Sequence, residues 1–294
     1  MLFNFILSVG FFIFIERKVL GLGQLREGPN KVFIKGYFQF LFDIIKLFLK
    51  NLVDLNYYYK LFYFFIPLIL FLNIFIFWIF LPIYRVIFNL SIRIIYLIIL
   101  MVVKIYFIIV MVYFIYSIYS FYSIVRMIIQ IISYDIIIIL VFLFNFFLYS
   151  NFDFFIFVFN FFYYRFFVNI FVFVFWFISI IVELIRLPFD FYEGESELVS
   201  GFNIEYGSIF FLILVLTEYI EIIYFIVLTV IIFVYGFFYS LLFNFFLFFF
   251  VYLVIWIRVF FVRYRLDKIL VLLWRFIFPF IIIFLFFYYY LNFM

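Results

Sequence analysis

The sequence predicts an all-α, polytopic membrane protein with about eight transmembrane helices and an amphipathic interfacial helix in its first charged loop. Composition is the first observation behind this class. The chain is 73% hydrophobic and 12% charged, has a mean hydropathy of +1.46, and holds 62 Phe and 27 Tyr. No water-facing surface carries that much apolar side chain without aggregating. Second, uncharged apolar runs of bilayer-crossing length recur along the whole chain. Third, the charges gather in a few segments between those runs. The 294 residues therefore read as one transmembrane domain.

The runs can be taken in order. Met1–Ile15 is short for a crossing, which needs about 20 helical residues. It has no basic leader and no small-residue cleavage site, so it reads as a retained span rather than a removable signal. Further spans are expected at Leu61–Ile83, Ile94–Tyr116, Ile124–Tyr149, Phe166–Val182, Ile209–Val234, Phe238–Ile257 and Phe276–Leu291. The apolar stretch from Ile222 to Ile257 would overshoot a bilayer as one helix, so it is divided at Tyr235–Ser240, where Gly236 breaks the pattern. Between the first two spans, Gln39, Asp43, Lys46 and Lys50 recur at helical spacing among apolar residues. That is a helix over Phe38–Lys50 with a narrow polar stripe, on which Asp43 and Lys46 are spaced to pair.

With eight spans, the connections 16–60, 117–123, 183–208 and 258–275 share one side. They and their margins carry 15 of the 19 Lys+Arg and 11 of the 15 Asp+Glu. The positive-inside rule turns that side toward the bacterial cytoplasm or its organellar equivalent, the mitochondrial matrix. Phe, Ile, Tyr and Asn in excess with no Ala fit AT-biased coding of the kind common in organelle genomes. With no Arg/Ser-rich leader, an organellar location would mean synthesis inside the organelle.

Absent residue types exclude several chemistries. With no Cys and no His, the chain offers no thiolate nucleophile, no iron–sulfur ligation by Cys and no bis-imidazole haem site. It is expected to bind no redox metal itself. Gly21–Gly28, "GLGQLREG", lacks the G-x-G-x-x-G spacing and any βαβ context, so no NADH site is expected there. Nothing in the pattern points to nucleic acid.

The candidate chemistry is acidic. Arg186–Tyr206, "RLPFDFYEGESELVSGFNIEY", holds five carboxylates, at Asp190, Glu193, Glu195, Glu197 and Glu205, beside one cation. A helical turn would align Asp190, Glu193 and Glu197. Crowded carboxylates near low-dielectric walls raise one another's proton affinity. Three readings stay open for this loop: a solvated acidic loop, a divalent-cation site and a proton-handling cluster. Acids within the spans favour the last. Glu218 and Glu221 lie one turn apart in the sixth span, and Asp135 lies in the fourth. Each such charge costs on the order of 2.5–3.5 kcal/mol to insert and so faces a cavity or a partner. Lys104, deep in the third span, is placed to pair with one of these acids or to snorkel. The last charged loop is basic, with Arg258, Arg263 and Arg265 against Asp267, and is read either as a headgroup-facing patch or as a partner of the acids. A stand-alone cation or proton transporter using Glu218 and Glu221, and a structural anchor for a peripheral enzyme, are alternatives.

Several segments together resemble the subunit 1 family of mitochondrial NADH dehydrogenase, the quinone-site membrane subunits of respiratory complex I. They are "ERKVLGLGQLREGPNKV", "FDIIKLFLK", "RMIIQIISYD", "RLPFDFYEGESELVSGFNIEYG", "TEY" and "WIRVFFVRYRLDKILVLLWRFIFP", in the family's order. The resemblance implies an eight-span subunit that shapes the ubiquinone tunnel and starts a charged route coupling quinone reduction to proton translocation. By the same resemblance it would be an enzyme only within NADH:ubiquinone reductase. By motif, Glu16, Arg17, Arg26, Asp43, Arg186, Arg258 and Arg263 would line or support the tunnel. Asp135, Glu183, Asp190, Glu193, Glu195, Glu197, Glu205 and Glu218 would form the proton route. Ubiquinone is the implied substrate, while NADH, FMN and iron–sulfur clusters belong to partner subunits. Implied partners are matrix-arm quinone-site subunits, antiporter-like membrane subunits and membrane lipids, in the mitochondrial inner membrane. The sequence departs from the family pattern at Asp135, where Glu is usual, at Asn51 in place of an acid, at Val262 in place of Pro, and at Glu221 in a usually uncharged position.

Overall fold

The computed structural model describes residues 2–30, 35–50, 60–81, 93–113, 118–149, 170–190, 206–234 and 241–293. Every regular element among them is helical. In chain order these are α1 (Leu2–Gly23), α2 (Gln39–Leu49), α3 (Lys60–Phe80), α4 (Arg93–Tyr113), α5 (Ile118–Tyr149), α6 (Ile170–Glu183), α7 (Ser208–Thr229), α8 (Leu241–Phe260), α9 (Leu266–Leu272) and α10 (Phe278–Phe293). Helices suit a bilayer because each satisfies its backbone polar groups within its own segment. α7 runs on into a π turn at Val230–Val234, and a second π turn, Leu273–Ile277, joins α9 to α10. Among the described residues five helical stretches are long and apolar enough to cross a membrane, and Phe64–Phe80 and Ile170–Glu183 are shorter apolar helices.

Three boundaries differ from the sequence expectation. α1 does not stop at Ile15 but carries Glu16, Arg17 and Lys18 inside the helix and reaches Gly23. At 22 residues it is about 33 Å long, enough to cross. The helix tolerates the three charges because partners from elsewhere meet at least Glu16 and Arg17, as described below. α5 begins at Ile118, so most of the expected 117–123 connection is helix. The expected 258–275 loop narrows to residues 261–265, with Arg258 in the last turn of α8 and Asp267 in the first turn of α9.

α7 is the hub of the bundle, in contact with α1, α2, α3 and α8. Most of its length is buried, from Leu212 to Thr229. A second layer runs from α3 through α4 and α5 to α6, and α5 also meets α9 and α10. Phe245, Phe248 and Phe286 point outward and are more than half exposed. In lipid such faces carry no hydration cost, so close packing and polar contacts hold the helices together. Edge-on aromatic pairs fill the interior, Phe142 against Trp176 and Trp78 against Tyr224 among them.

Small side chains set how closely α2 approaches. Phe40, the buried residue of α2, packs against Gly10 of α1. A Cβ added at Gly10 would run into the Phe40 ring. Gly10→Val is therefore expected to displace α2 and to cost about 1–3 kcal/mol, the usual penalty of overpacking. Thermal unfolding of the detergent-solubilised protein measures this, and a midpoint equal to that of the native chain would show that α2 is not seated through Phe40.

Candidate functional site

The site starts with three residues in one turn of α7. Glu218 and Glu221 lie three apart, and Tyr219 stands between them. Tyr219 reaches toward α1, where its hydroxyl donates to Glu16 Oε2 at 2.9 Å. The other carboxylate oxygen of Glu16 accepts from Arg258 Nη1, at the end of α8. Glu16 is 5% exposed, and both of its oxygens are satisfied. Next to it, Arg17 Nη1 donates to Asp43 Oδ2 on α2 at 3.0 Å, with both side chains substantially exposed. Asp43 thus turns toward α1, and the apolar Phe42, Ile45 and Phe48 face outward.

These groups help to line a cavity of about 390 Å³ between α1, α2 and α7. Its walls are apolar, with Val9, Ile13, Leu47, Leu212 and Val215 among them, and its polar groups are Glu16, Arg17, Asp43, Tyr219 and Arg258. A volume of roughly 300–1,000 Å³ with few polar groups in apolar walls is what a small-molecule site needs.

Arg186 sits on the far side of Tyr219. α6 ends at Glu183, and Ile185 adopts a left-handed backbone, φ 50°, that turns the chain away from the helix axis. Gln130 of α5 fixes this turn by donating to the carbonyls of Val182 and Phe189, at 2.7 and 3.1 Å. The Arg186 guanidinium then lies 4.5 Å from the centre of the Tyr219 ring, and its Nη2 is 3.5 Å from Glu218 Oε2. Tyr219 bridges two charged groups, through its hydroxyl to Glu16 and through its ring to Arg186.

The deepest charges form a second group. Lys104 Nζ of α4 donates to Glu183 Oε1 of α6 at 2.9 Å and to Glu221 Oε1 of α7 at 2.5 Å. All three residues are buried. Asp135 of α5 lies within electrostatic reach of all of them, is 5% exposed, and has its carboxyl beside that of Glu183, with no other side chain bonded to either Oδ among the described residues. Three carboxyls share one ammonium, so the group has room to take up protons. A cavity of about 60 Å³ touches Lys104, Glu221 and Glu218 and connects the two groups of charges.

Of the residues singled out from sequence, Glu16, Arg17, Asp43 and Arg258 meet at the large cavity, with Arg186 behind Tyr219. Glu183, Asp135 and Glu218 belong to the deeper array. Arg26 is exposed in the turn after α1, where its N–H donates to the Gly21 carbonyl at 2.9 Å. Arg263 lies in the 261–265 segment, which is tied to the turn after α6 by Tyr264 N–H donating to Pro188 O at 3.0 Å. Asp190 ends that turn. Glu193, Glu195, Glu197, Glu205 and Asn51 lie outside the described residues. Sequence reasoning passed over Tyr219, one tyrosine among 27, although it stands in the quoted "TEY". It also left Lys104 without a definite partner and Glu221 outside the proton route. The signal was present for both, as opposite charges at matching depth in two spans.

The fold and the cavity together define a polytopic membrane protein with an apolar chamber bordered by charged groups and a buried carboxyl–ammonium array. The family model described as NADH dehydrogenase matches residues 1–289. The chain is 36% identical over 283 residues to NADH-ubiquinone oxidoreductase chain 1 of Aedes aegypti, covering 96% of this chain and 90% of that one. It is 34% identical over 287 residues to the protein of that name from Rhipicephalus sanguineus, covering 97% and 91%. For the one from Apis mellifera ligustica the identity is 30% over 288 residues, covering 98% and 94%. The chain belongs to the NADH dehydrogenase family.

The two ion pairs at the large cavity differ in how much they hold. Arg17→Ala removes an exposed bridge and is expected to cost about 1 kcal/mol or less. Arg258→Ala strips a charge partner from the buried Glu16 and is expected to cost about 3 kcal/mol or more. Denaturation of the two variants side by side checks the ranking, and a larger loss for Arg17→Ala would reverse it.

Proposed function

We propose that this chain is the membrane subunit through which ubiquinone enters an NADH:ubiquinone oxidoreductase, respiratory complex I, and in which the charged route from quinone chemistry to proton translocation begins. The observation that carries this reading is the cavity of about 390 Å³, apolar along its walls and lined also by Glu16, Tyr219 and Arg258. Apolar walls suit an isoprenoid tail, and a ring of donors and acceptors suits the polar head that travels behind or ahead of it. NADH, FMN and iron–sulfur chemistry belong to partner subunits in this reading, and this chain catalyses nothing alone. Its charged loops face matrix-arm subunits, its apolar faces meet lipid and antiporter-like membrane subunits, and the assembly sits in the mitochondrial inner membrane.

Quinone takes two electrons and two protons to become quinol. Charge that appears at the polar groups of the cavity acts first on Arg258, Glu16 and Tyr219, which touch one another. Arg186 feels the same change through the Tyr219 ring and stands beside Glu218. Glu218 borders the small cavity that leads to Lys104 and Glu221. Arg26, Asp43, Arg17 and Arg263 support the entrance. Asp135, Glu183, Asp190, Glu193, Glu195, Glu197, Glu205 and Glu218 carry the proton route. A lone ion transporter using Glu218 and Glu221 fits less well, because Glu221 is held by Lys104.

Val215 is on the wall of the large cavity, so Val215→Trp fills space that the quinone would cross. In mitochondrial membranes the KM for ubiquinone is expected to rise about tenfold or more, with the NADH oxidation rate on an artificial acceptor as the reference. An unchanged KM and unchanged sensitivity to quinone-site inhibitors would remove this cavity from the quinone path. Mass spectrometry of the native-gel band with NADH dehydrogenase activity tests assembly, and absence of this chain from that band would end the reading.

A further inference from the structure

We propose that Lys104 is a positioning residue for proton passage, a movable ammonium that links protonation of Glu221 on one side to that of Glu183 on the other. This inference rests on the proton-route reading above and deepens it. Lys104 is the cation at the centre of the array, and it stands between two unlike environments. On one side is the small cavity, which Lys104, Glu221 and Glu218 help to line. At about 60 Å³ it has room for a few waters, since each needs roughly 10–15 Å³ and two or more polar partners. On the other side Glu183 and Asp135 do not border that cavity. There Glu183 Oε2 and both Asp135 oxygens are buried with no other side chain bonded to them among the described residues. The ammonium separates a side with room for water from a side that does not border that cavity.

Lys104 bonds to both glutamates at once, closer to Glu221 at 2.5 Å than to Glu183 at 2.9 Å. In a low dielectric an ammonium follows negative charge, because the attraction to a carboxylate far exceeds that to a neutral acid. A proton that arrives from cavity water, or through it from Glu218, forms an O–H bond on Glu221 and breaks one on the donor. Glu221 then loses its hold, and Lys104, keeping its three protons, shifts wholly onto Glu183. That approach stabilises Glu183 as the carboxylate, so a proton on Glu183 leaves for an oxygen of Asp135. One proton enters at Glu221 and one leaves from Glu183, so the charge on the Lys104–Glu183–Glu221 trio does not change. A fixed structural pair would not need Glu183 at all, yet Lys104 contacts it across three helices of the bundle.

The test uses the assembled complex in mitochondrial membranes, with rates normalised to NADH oxidation by an artificial acceptor. Glu221→Gln is isosteric and leaves Lys104 on Glu183. Ubiquinone reduction coupled to proton uptake is expected to slow about tenfold. Lys104→Met, and the double variant Lys104→Met/Glu221→Gln, are expected to stay at least as slow. Native turnover and proton yield in Glu221→Gln, or recovery in the double variant, would overturn the proposal and make the pair purely structural. If Lys104→Met does not assemble, Glu221→Gln decides alone. Glu218→Gln separates this proposal from the reading beneath it. A slowed Glu218→Gln beside a native Glu221→Gln removes only the role of Lys104, whereas native turnover and proton yield in both remove the route itself.

Discussion

An ammonium inside an apolar bundle must be matched by negative charge, and Lys104 is where this chain meets that demand. Its partners come from α6 and α7, and Asp135 of α5 lies within electrostatic reach, so four helices converge on one charge. Removing a charged partner in such a setting costs far more than losing an apolar contact. α4 and α7 are therefore constrained at mid-length, through Lys104 and Glu221, and α6 at its last residue, Glu183. α7 carries most of that constraint, since one of its turns serves both Glu16 and Lys104.

The two charged groups perform different work because they differ in access. Arg17 and Asp43 are open at the mouth of the large cavity, where a bridge is weak and easily exchanged. Glu16, Tyr219 and Arg258 lie further in and hold one another in place. Arg186 and Glu218 follow, and then Lys104 with its carboxyls in the driest part. Exposure is greatest at the Arg17–Asp43 pair and least at Glu183. Where access to water is least, the electrostatic effect of a given change in charge is largest.

Much of this was legible in the sequence because a bilayer leaves few choices. Apolar runs became helices, while the division expected at Tyr235–Ser240 lies outside the described residues, which resume with α8 at Leu241. The i,i+3 spacing of Glu218 and Glu221 placed both on the turn that forms the site. Where the reading fell short, tertiary partners had changed the meaning of a local signal. Glu16-Arg17-Lys18 looks like a membrane edge, yet α1 continues through it, because Tyr219, Arg258 and Asp43 meet two of the three charges. Asp43 had a local candidate in Lys46 and instead pairs with Arg17, from another helix. No periodicity within a single span could have named Glu183 and Glu221 as the joint partners of Lys104, because that match depends on how three helices stand side by side.

The separation of those three helices along the chain has a consequence for biogenesis. Lys104 enters the membrane with α4, about 80 residues before Glu183 and almost 120 before Glu221. During synthesis the ammonium is in place before either bonded partner exists, at a cost of roughly 2.5–3.5 kcal/mol on insertion scales. The nascent α4 must stay near water, lipid headgroups or the insertion machinery until α6 and α7 arrive. The bundle closes around Lys104 only once α6 and α7 are in place, and a chain truncated before α6 lacks both bonded partners of the ammonium.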